Sequence, residues 1–262
     1  MGAILPADPA RPLLGKAALV VGADSGIGLA TARAFAKAGA HVVMAGLRER
    51  EGVDHAAAIA ADTGHPASFV RVDVREEADV AAMVAAAVAH LGGLDIAFNN
   101  AGIEGPAGPI QDLRSEDFDA LLAINLRGAW LGMKHQIPHL IARGGGVIVN
   151  TSSTAGTKAI PNVAIYTATK HAIIGLTKAA ALELAPSGIR VNAIAPGPVD
   201  TGLLRRMVAG RNGTLESVKA RTPLGRIADA DEIAGTVTWL VSDAAANLTG
   251  TVLFSDGGLT AT

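Results

Sequence analysis

The stretch AALVVGADSGIGLATARAFAKAGAHVVMAG, residues 17–46, decides the fold. It opens on a short β-branched apolar run, AALVVG (17–22), and passes through a glycine-rich turn into a segment of helical periodicity. There Ile27, Thr31, Ala34, Phe35 and Ala38 share a face, and Gly39 is placed to end the helix in a left-handed cap. HVVMAG (41–46) is a second run of the first kind. Strand, tight turn, helix and strand in that order imply a crossover unit with parallel strands.

The theme continues along the chain. FVRVDV (69–74), LDIAFNN (94–100), GVIVNTSS (146–153), IRVNAIAPG (189–197) and TVLFSD (251–256) bring the candidate strands to seven. Several are apolar without clean alternation, the pattern of strands covered on both faces. The spacing therefore predicts an α/β fold: a doubly wound sheet of about seven parallel strands with helices on both faces. Asp229 followed by Glu232 reads as a capping-box variant, and Ser115 before an acidic first turn marks another helix start. No linker, low-complexity tract or internal repeat divides the chain, so one domain spanning 1–262 is expected, with 1–12 as an N-terminal extension.

Bulk properties exclude several function classes. Half of the residues are hydrophobic but only 3% are aromatic, which implies a core of closely packed small side chains. The formal charge of −2 comes without a block of like charges, so nucleic acid is not an expected partner. No apolar run approaches membrane-spanning length. The N-terminus lacks the pattern of a signal peptide and has Pro6 where myristoylation wants Ser or Thr. The absence of cysteine removes disulfides, thiolate metal sites and thiol nucleophiles, and is compatible with the cytoplasmic location expected here.

Gly22, Gly26 and Gly28 sit between the first strand and first helix, where a glycine lets the backbone approach a pyrophosphate at the helix N-terminus. The spacing G-x-x-x-G-x-G departs from the G-x-G-x-x-G fingerprint. At the end of the second strand, where an acid would hold the free hydroxyls of an adenosine ribose, Gly46 stands instead and Arg48 follows. This favours NADP over NAD, although Arg48 also suits a solvated surface and Asp24, in the glycine turn, is a negative charge that argues the other way. NNAG (99–102) closes the fourth strand, with asparagines suited to fixing loop geometry, to ligand contact, or to both.

YTATK (166–170) holds the sole tyrosine of the chain. Residues four apart share a helical face, so Tyr166 and Lys170 can approach one another, and a neighbouring ammonium favours a phenolate. The phenol is accordingly expected to titrate below a free tyrosine. An amphipathic helix with an exposed lysine and half-buried tyrosine has the same pattern. Ser153, thirteen positions before Tyr166, is suited to hydrogen-bonding a substrate oxygen and equally to capping a turn. The ordered conjunction of all these pieces favours the chemical reading.

From about Leu13 onward the chain resembles the short-chain dehydrogenase/reductase family, through GADSGIG, Asp73-Val74, NNAG, Asn125 in INLRG, NTSS, YTATK and PGPVDT (196–201). The resemblance implies a Rossmann-like sheet and hydride transfer between a nicotinamide cofactor, NADP or NAD, and a small secondary alcohol or ketone. In that scheme Tyr166 is the general acid/base, and Lys170 lowers its pKa and holds the nicotinamide ribose. Ser153 orients the substrate oxygen, and Asn125 holds a water in a proton relay. The glycine turn, with Asp24, Ser25 and Ile27, carries the pyrophosphate, and Asp73 and Val74 flank the adenine. Asn100, with Ala101 and Gly102, lines the ribose, and Pro196, Gly197, Val199 and Thr201 fix the carboxamide end. A homotetramer is also implied. Val21 departs from the threonine common at its position.

Alternative readings are a 3-ketoacyl-carrier-protein reductase and a noncatalytic dinucleotide sensor; an epimerase or dehydratase of the extended relatives is expected to carry a longer C-terminal substrate region. Residues 202–226, with Leu203, Leu204 and Met207, read as a substrate lid or as ordinary surface helix. His135 and His139 have the spacing of a zinc helix, but Gln136 replaces the glutamate and Pro138 intervenes, so no metal is expected.

Overall fold

The computed structural model describes residues 11–210 and 213–261; of the expected N-terminal extension, residues 1–10 lie outside the described residues. The strands are β1 (Ala17–Val21), β2 (His41–Gly46), β3 (Ala67–Arg71), β4 (Ile96–Asn99), β5 (Gly146–Thr151), β6 (Ile189–Pro196) and β7 (Val252–Ser255). All seven are parallel, in the order β3-β2-β1-β4-β5-β6-β7. The order reverses between β1 and β4, and ligands of open parallel sheets bind in the crevice at such a switch point.

Successive strand residues face opposite sides, and both sides are covered. Ala18, Val20, Val42 and Met44 pack with Phe35 of α1 (Gly26–Lys37), Ile59 of α2 (Glu49–Thr63) and Ile233 and Val237 of α9 (Ala230–Val241). Leu19, Val21, Val43 and Ala45 pack the other way. Their partners are Met83 and Val84 of α3 (Glu77–Leu91), Leu131 and Leu140 of α5 (Gly128–Arg143) and Ala181 of α6 (Ala164–Leu184). Double coverage explains why the strands lack an apolar and polar alternation. The expected helix signals hold at two places. Gly39 takes φ +97° after α1, and the Asp229–Glu232 capping box forms before α9.

Three local expectations shift. The third strand runs from Ala67 to Arg71 because β2 ends at Gly46; after Val72 N–H donates to Gly46 O, the chain leaves the sheet. Asp73 and Val74 consequently stand beyond the strand, at the crevice. Ser115 is the first residue of α4 (Ser115–Leu121) and caps nothing; the preceding Arg114 instead pairs with Asp117. Pro138 lies within α5 without ending it. No helix among the described residues is long and apolar enough to cross a membrane.

A chain of buried amides ties α5, β4, β5 and α6 together. Gln136 Nε2 donates to Asn99 Oδ1 (2.8 Å), Asn99 Nδ2 to Gln136 Oε1 (3.1 Å) and Asn150 Oδ1 (3.0 Å), and Asn150 Nδ2 to Thr177 Oγ1 (3.0 Å). All four side chains are essentially shut off from water, so removing one partner strands the others. Gln136→Leu is expected to destabilise the protein by about 1–3 kcal/mol, read as a lower urea midpoint at an unchanged m value.

Candidate active site

The crevice at the switch point opens into a cavity of about 1220 Å³. Its floor at one end is the β1–α1 turn, where Gly22 (φ +79°) and Gly26 (φ +54°) adopt left-handed backbone. A Cβ on Gly22 would lie 2.6 Å from the amide nitrogen of Ala101, and one on Gly28 would overlap the carbonyl oxygen of Gly22. Gly28 thus lies behind the wall and permits the turn, while Gly22, Ser25, Gly26 and Ile27 line the cavity. Ser25 precedes α1 without a side-chain cap, so the N–H groups of the first turn keep their affinity for an anion. Asn100 fixes the crevice from the far side: Nδ2 donates to Gly22 O (3.1 Å), and Oδ1 accepts from Thr151 Oγ1 (3.1 Å). Both asparagines of NNAG therefore shape the loop, and Asn100, Ala101 and Gly102 also face the cavity.

At the adenosine end, Asp73 and Val74 line the wall together with Asp24, Gly46 and Arg48. Arg75 donates two guanidinium nitrogens to Asp73, and that hydrogen bonding holds the carboxyl below its ordinary range. Asp24 leans over Gly46 so closely that a Cβ there would lie 2.9 Å from its carboxylate carbon. The same carboxylate accepts from the Arg48 backbone N–H (3.1 Å) and Nε (3.4 Å), and Arg48 Nη2 donates to the Asp24 carbonyl (3.0 Å).

At the other end, Ser153, Tyr166 and Lys170 meet. Ser153 follows β5 and caps a 3-10 turn (Thr154–Gly156), accepting from Ala155 N–H (3.1 Å); its hydroxyl also lies near enough to the Tyr166 phenol to act on that group's pKa, in the lowering direction. The capping role foreseen for this serine is present, and it leaves the side chain on the cavity. Tyr166 and Lys170 are only 8% and 4% exposed, which removes the half-exposed surface-helix alternative. Lys170 Nζ donates to Thr151 O (2.9 Å) and lies 5.6 Å from the centre of the tyrosine ring.

The expected acidification of the phenol is corrected for the free protein. Burial pushes the Tyr166 pKa up; the Ser153 hydroxyl counters only part of this, and the Glu104 charge adds to it. Burial simultaneously pushes the Lys170 ammonium down to about 8, and the ammonium faces the ring rather than the phenol oxygen. Desolvation outweighs the charge pairing that the four-residue spacing suggests.

Asn125 sits in a π-helical turn (Leu122–Arg127), buried behind the wall. Its Oδ1 accepts from Ile103 N–H (2.8 Å), and its Nδ2 donates to Ile103 O (2.9 Å) and Thr169 Oγ1 (3.3 Å). The side chain braces the loop after β4, which leaves only the backbone of Asn125 for the relay that the resemblance implies.

Pro196, Gly197, Val199 and Thr201 line the cavity below α7 (Gly202–Ala209), and Leu203, Leu204 and Met207 of that helix cover it. The remainder of the expected lid holds α8 (Leu215–Arg221). Sequence reasoning missed Ile103, Ile160, Pro161 and Arg206, also on the wall. Only the proximity of Ile103 to NNAG signalled any of them. His135 Nε2 lies 3.3 Å from Glu77, and among the described residues no group of three or more His, Cys, Asp or Glu is arranged to hold a metal ion.

Lys170 makes stability depend on pH. Its native value of about 8 lies below the ordinary 10.5, so between these the unfolded chain binds the extra proton. The contribution to stability therefore rises with pH and is lost as pH falls through 8, a span worth about 3 kcal/mol. Measured by denaturant unfolding from pH 7 to 10, wild type is expected to gain roughly 2–3 kcal/mol relative to Lys170→Met.

The cradle of glycines, the capless helix start and a buried ammonium with one protein acceptor fit a dinucleotide whose ribose hydroxyls reach Lys170. Comparison with known proteins agrees. A family model described as enoyl-(acyl carrier protein) reductase matches residues 21–260. The chain is 43% identical to cis-4-hydroxycyclohexanecarboxylate dehydrogenase of Sinomonas cyclohexanicum, over 94% of this chain and 97% of that protein. It is 41% identical to 2,5-dichloro-2,5-cyclohexadiene-1,4-diol dehydrogenase of Sphingobium indicum, over 95% and 98%. A crystal structure of 3-ketoacyl-(acyl-carrier-protein) reductase from Brucella melitensis, complexed with NADH, superposes with a TM-score of 0.86 at 37% identity, covering 95% of this chain and 99% of that one. With the switch-point cavity and the Ser153, Tyr166 and Lys170 cluster already in place, these likenesses establish that the chain belongs to the short-chain dehydrogenase/reductase family.

Proposed function

We propose that this chain interconverts secondary alcohols and ketones on small alicyclic rings, with Tyr166 as the group that moves the proton. As a member of its family it is a nicotinamide-dependent oxidoreductase acting on CH–OH groups. The nicotinamide, when bound, supplies or accepts the hydride. The observation that carries the reading is the convergence of Ser153, Tyr166 and the buried Lys170 on one cavity that is continuous with the glycine cradle. In reduction, Tyr166 Oη donates its proton to the ketone oxygen while the Ser153 hydroxyl hydrogen-bonds the same oxygen. Oxidation reverses both transfers. Because burial keeps the phenol protonated, the free site is poised as an acid. Lys170 donates to the ribose hydroxyls through the N–H groups not taken by Thr151, and Asn125 supports the loop that bounds the substrate.

The ring-alcohol class is supported by the names of two relatives matched along nearly their whole length and by the apolar wall of Ile103, Ile160, Leu203, Leu204 and Met207. A carrier-protein reductase is not favoured, since those more similar relatives are named for free ring substrates. A noncatalytic sensor has no use for a buried ammonium beside a phenol. Within the expected lid of 202–226, the helices α7 and α8 act as the cover, and a homotetramer is supported by Trp130, Ile141 and Leu182, large apolar side chains exposed on α5 and α6. Tyr166→Phe is expected to bind the dinucleotide normally by fluorescence titration while turnover of cyclohexanol and cyclohexanone falls at least about 10²- to 10⁴-fold; normal turnover would refute the assignment.

For the cofactor we weigh Asp24 above Arg48 and propose NAD rather than the NADP that the sequence favoured. The Asp24 carboxylate fills the space over Gly46 from which an acid at the end of β2 would reach the ribose, and Arg48 is already paired with it. A 2′-phosphate would meet that carboxylate directly. Asp24→Ala is expected to weaken NADH binding about 10- to 100-fold, the loss of hydrogen bonds to a charged acceptor, and to strengthen NADPH binding. Dissociation constants for both reduced forms, by fluorescence titration, check this without turnover.

A further inference from the structure

Arg206 projects from the lid helix α7 into the substrate end of the cavity, among Leu203, Leu204 and Met207. Its guanidinium meets Glu104, which follows the Asn125-braced Ile103, through Nε to one carboxylate oxygen and Nη2 to the other (3.2 Å). A forked pair of this kind uses the geometry with which arginine recognises a carboxylate. The Glu104 side chain is only 13% exposed against 64% for Arg206, so the acid is the anchored partner and the cation is held to it. Met207 packs beside them against the small apolar cluster of Leu121, Val163, Ile165 and Tyr166. The contact thus joins the lid to the floor next to the reacting phenol. Glu104 also opposes ionisation of that phenol, so its field reaches the reaction centre.

We propose that Glu104 determines the charge of the substrate: by caging Arg206 it restricts the site to uncharged ring ketones and alcohols, and Arg206 is a latent carboxylate site. This rests on the ring-alcohol reading above, and it sets the chain apart from the relative named for a ring carboxylate. A substrate carboxylate entering beneath the lid has to displace Glu104 from Arg206 and then lie beside the released acid, a repulsive element of the kind that sets specificity. An uncharged ring meets only the apolar faces. Besides Arg48 and Lys170, the cavity wall carries Lys158, whose Nζ donates to Leu259 O (2.5 Å), and Arg221, whose Nε donates to Ser217 O (3.2 Å). A test has to separate Lys158 and Arg221 from Arg206.

The test compares 4-oxocyclohexanecarboxylate with its uncharged methyl ester, which keeps the ring and carbonyl. Wild type is expected to prefer the ester in kcat/KM, and Glu104→Gln to raise the acid-to-ester ratio about 10- to 100-fold, the scale of one charged hydrogen-bonded pair. Adding Arg206→Gln to Glu104→Gln is expected to abolish the gain. A structural loss of lid docking alone would lower both substrates in parallel, leave the ratio unmoved and overturn the proposal. So would a wild type indifferent to the charge, or a gain that survives Arg206→Gln and therefore belongs to Lys158 or Arg221. Should wild type reduce neither ketone, the ring-alcohol reading fails separately. The charge claim is then read by calorimetry of the cofactor-loaded protein with cyclohexanecarboxylate: binding to Glu104→Gln that Arg206→Gln removes supports it, and equal behaviour of wild type and Glu104→Gln overturns it.

Discussion

Gly22 and Ala101 meet backbone to backbone where the sheet reverses its order, at a separation that leaves no room for a side chain on residue 22. Much of the site depends on that contact. It sets how far the β1–α1 turn stands from the end of β4, and Asn100 locks the distance by bonding the Gly22 carbonyl while accepting from Thr151 on the next strand. Three successive strand ends of the sheet, β1, β4 and β5, are thereby held in one register. A pyrophosphate-sized cleft at one end and a buried ammonium on Thr151 O at the other follow from the same lock. Beneath it the amides of Asn99, Gln136 and Asn150 extend the fixation into α5 and α6. The site is built on a polar network that has to be satisfied throughout, since each member is shielded from water.

Rigidity of this kind lets the protein keep two ionisable groups where water cannot stabilise them. Lys170 sits against Tyr166 on α6, and the helix is held to the end of β5 by Ser152 Oγ donating to Lys170 O (2.9 Å). A Cβ on Gly156 would lie 2.8 Å from that same carbonyl, so the turn carrying Ser153 packs directly on the helix carrying Tyr166. The serine and tyrosine hydroxyls meet because two backbones do. Burial then disfavours both the phenolate and the ammonium. An anionic or cationic partner arriving in the cavity changes the ionisation of both groups, so the unliganded pKa directions describe the resting site and not the loaded one.

Much of this architecture is legible in the sequence because its causes are local. The apolar runs, Gly39 as a left-handed cap and the Asp229–Glu232 box all act within a few residues, and the structure has them where the pattern puts them. The third strand is less legible: FVRVDV alternates valines with Arg71 and Asp73 as far as Val74, but its end is dictated by where β2 stops, and no pattern within residues 69–74 encodes that. Asn125 was recognisable as a motif, yet the commitment of its amide to Ile103, twenty-two residues earlier, belongs to the tertiary structure. Gln136 was visible only as the wrong residue for a metal helix, because its partner Asn99 lies thirty-seven positions away. The direction of the Tyr166 shift failed for a related reason. Helical spacing announces a neighbouring charge but says nothing of burial, and burial is the larger effect.

The same limitation governs the two arginines nearest the ligands. Arg48 read in the sequence as an available cation and Arg206 carried no signal, and each is joined in the structure to a carboxylate from a different loop, Asp24 at 24 residues' separation and Glu104 at 102. Charge available to a ligand is a property of the pair. A lone guanidinium at the β2 end invites a phosphate, whereas the same guanidinium bonded to an aspartate that overhangs Gly46 presents the ribose with an acceptor already oriented. At the lid the pairing replaces an anion site by a neutral, apolar one. On both proposals the selecting group is the acid, which lies on the loops following β1 and β4, while the arginine follows β2 or rides on α7. Specificity at each end of the cavity is therefore anchored to the strand ends that flank the switch point, where the sheet itself fixes position.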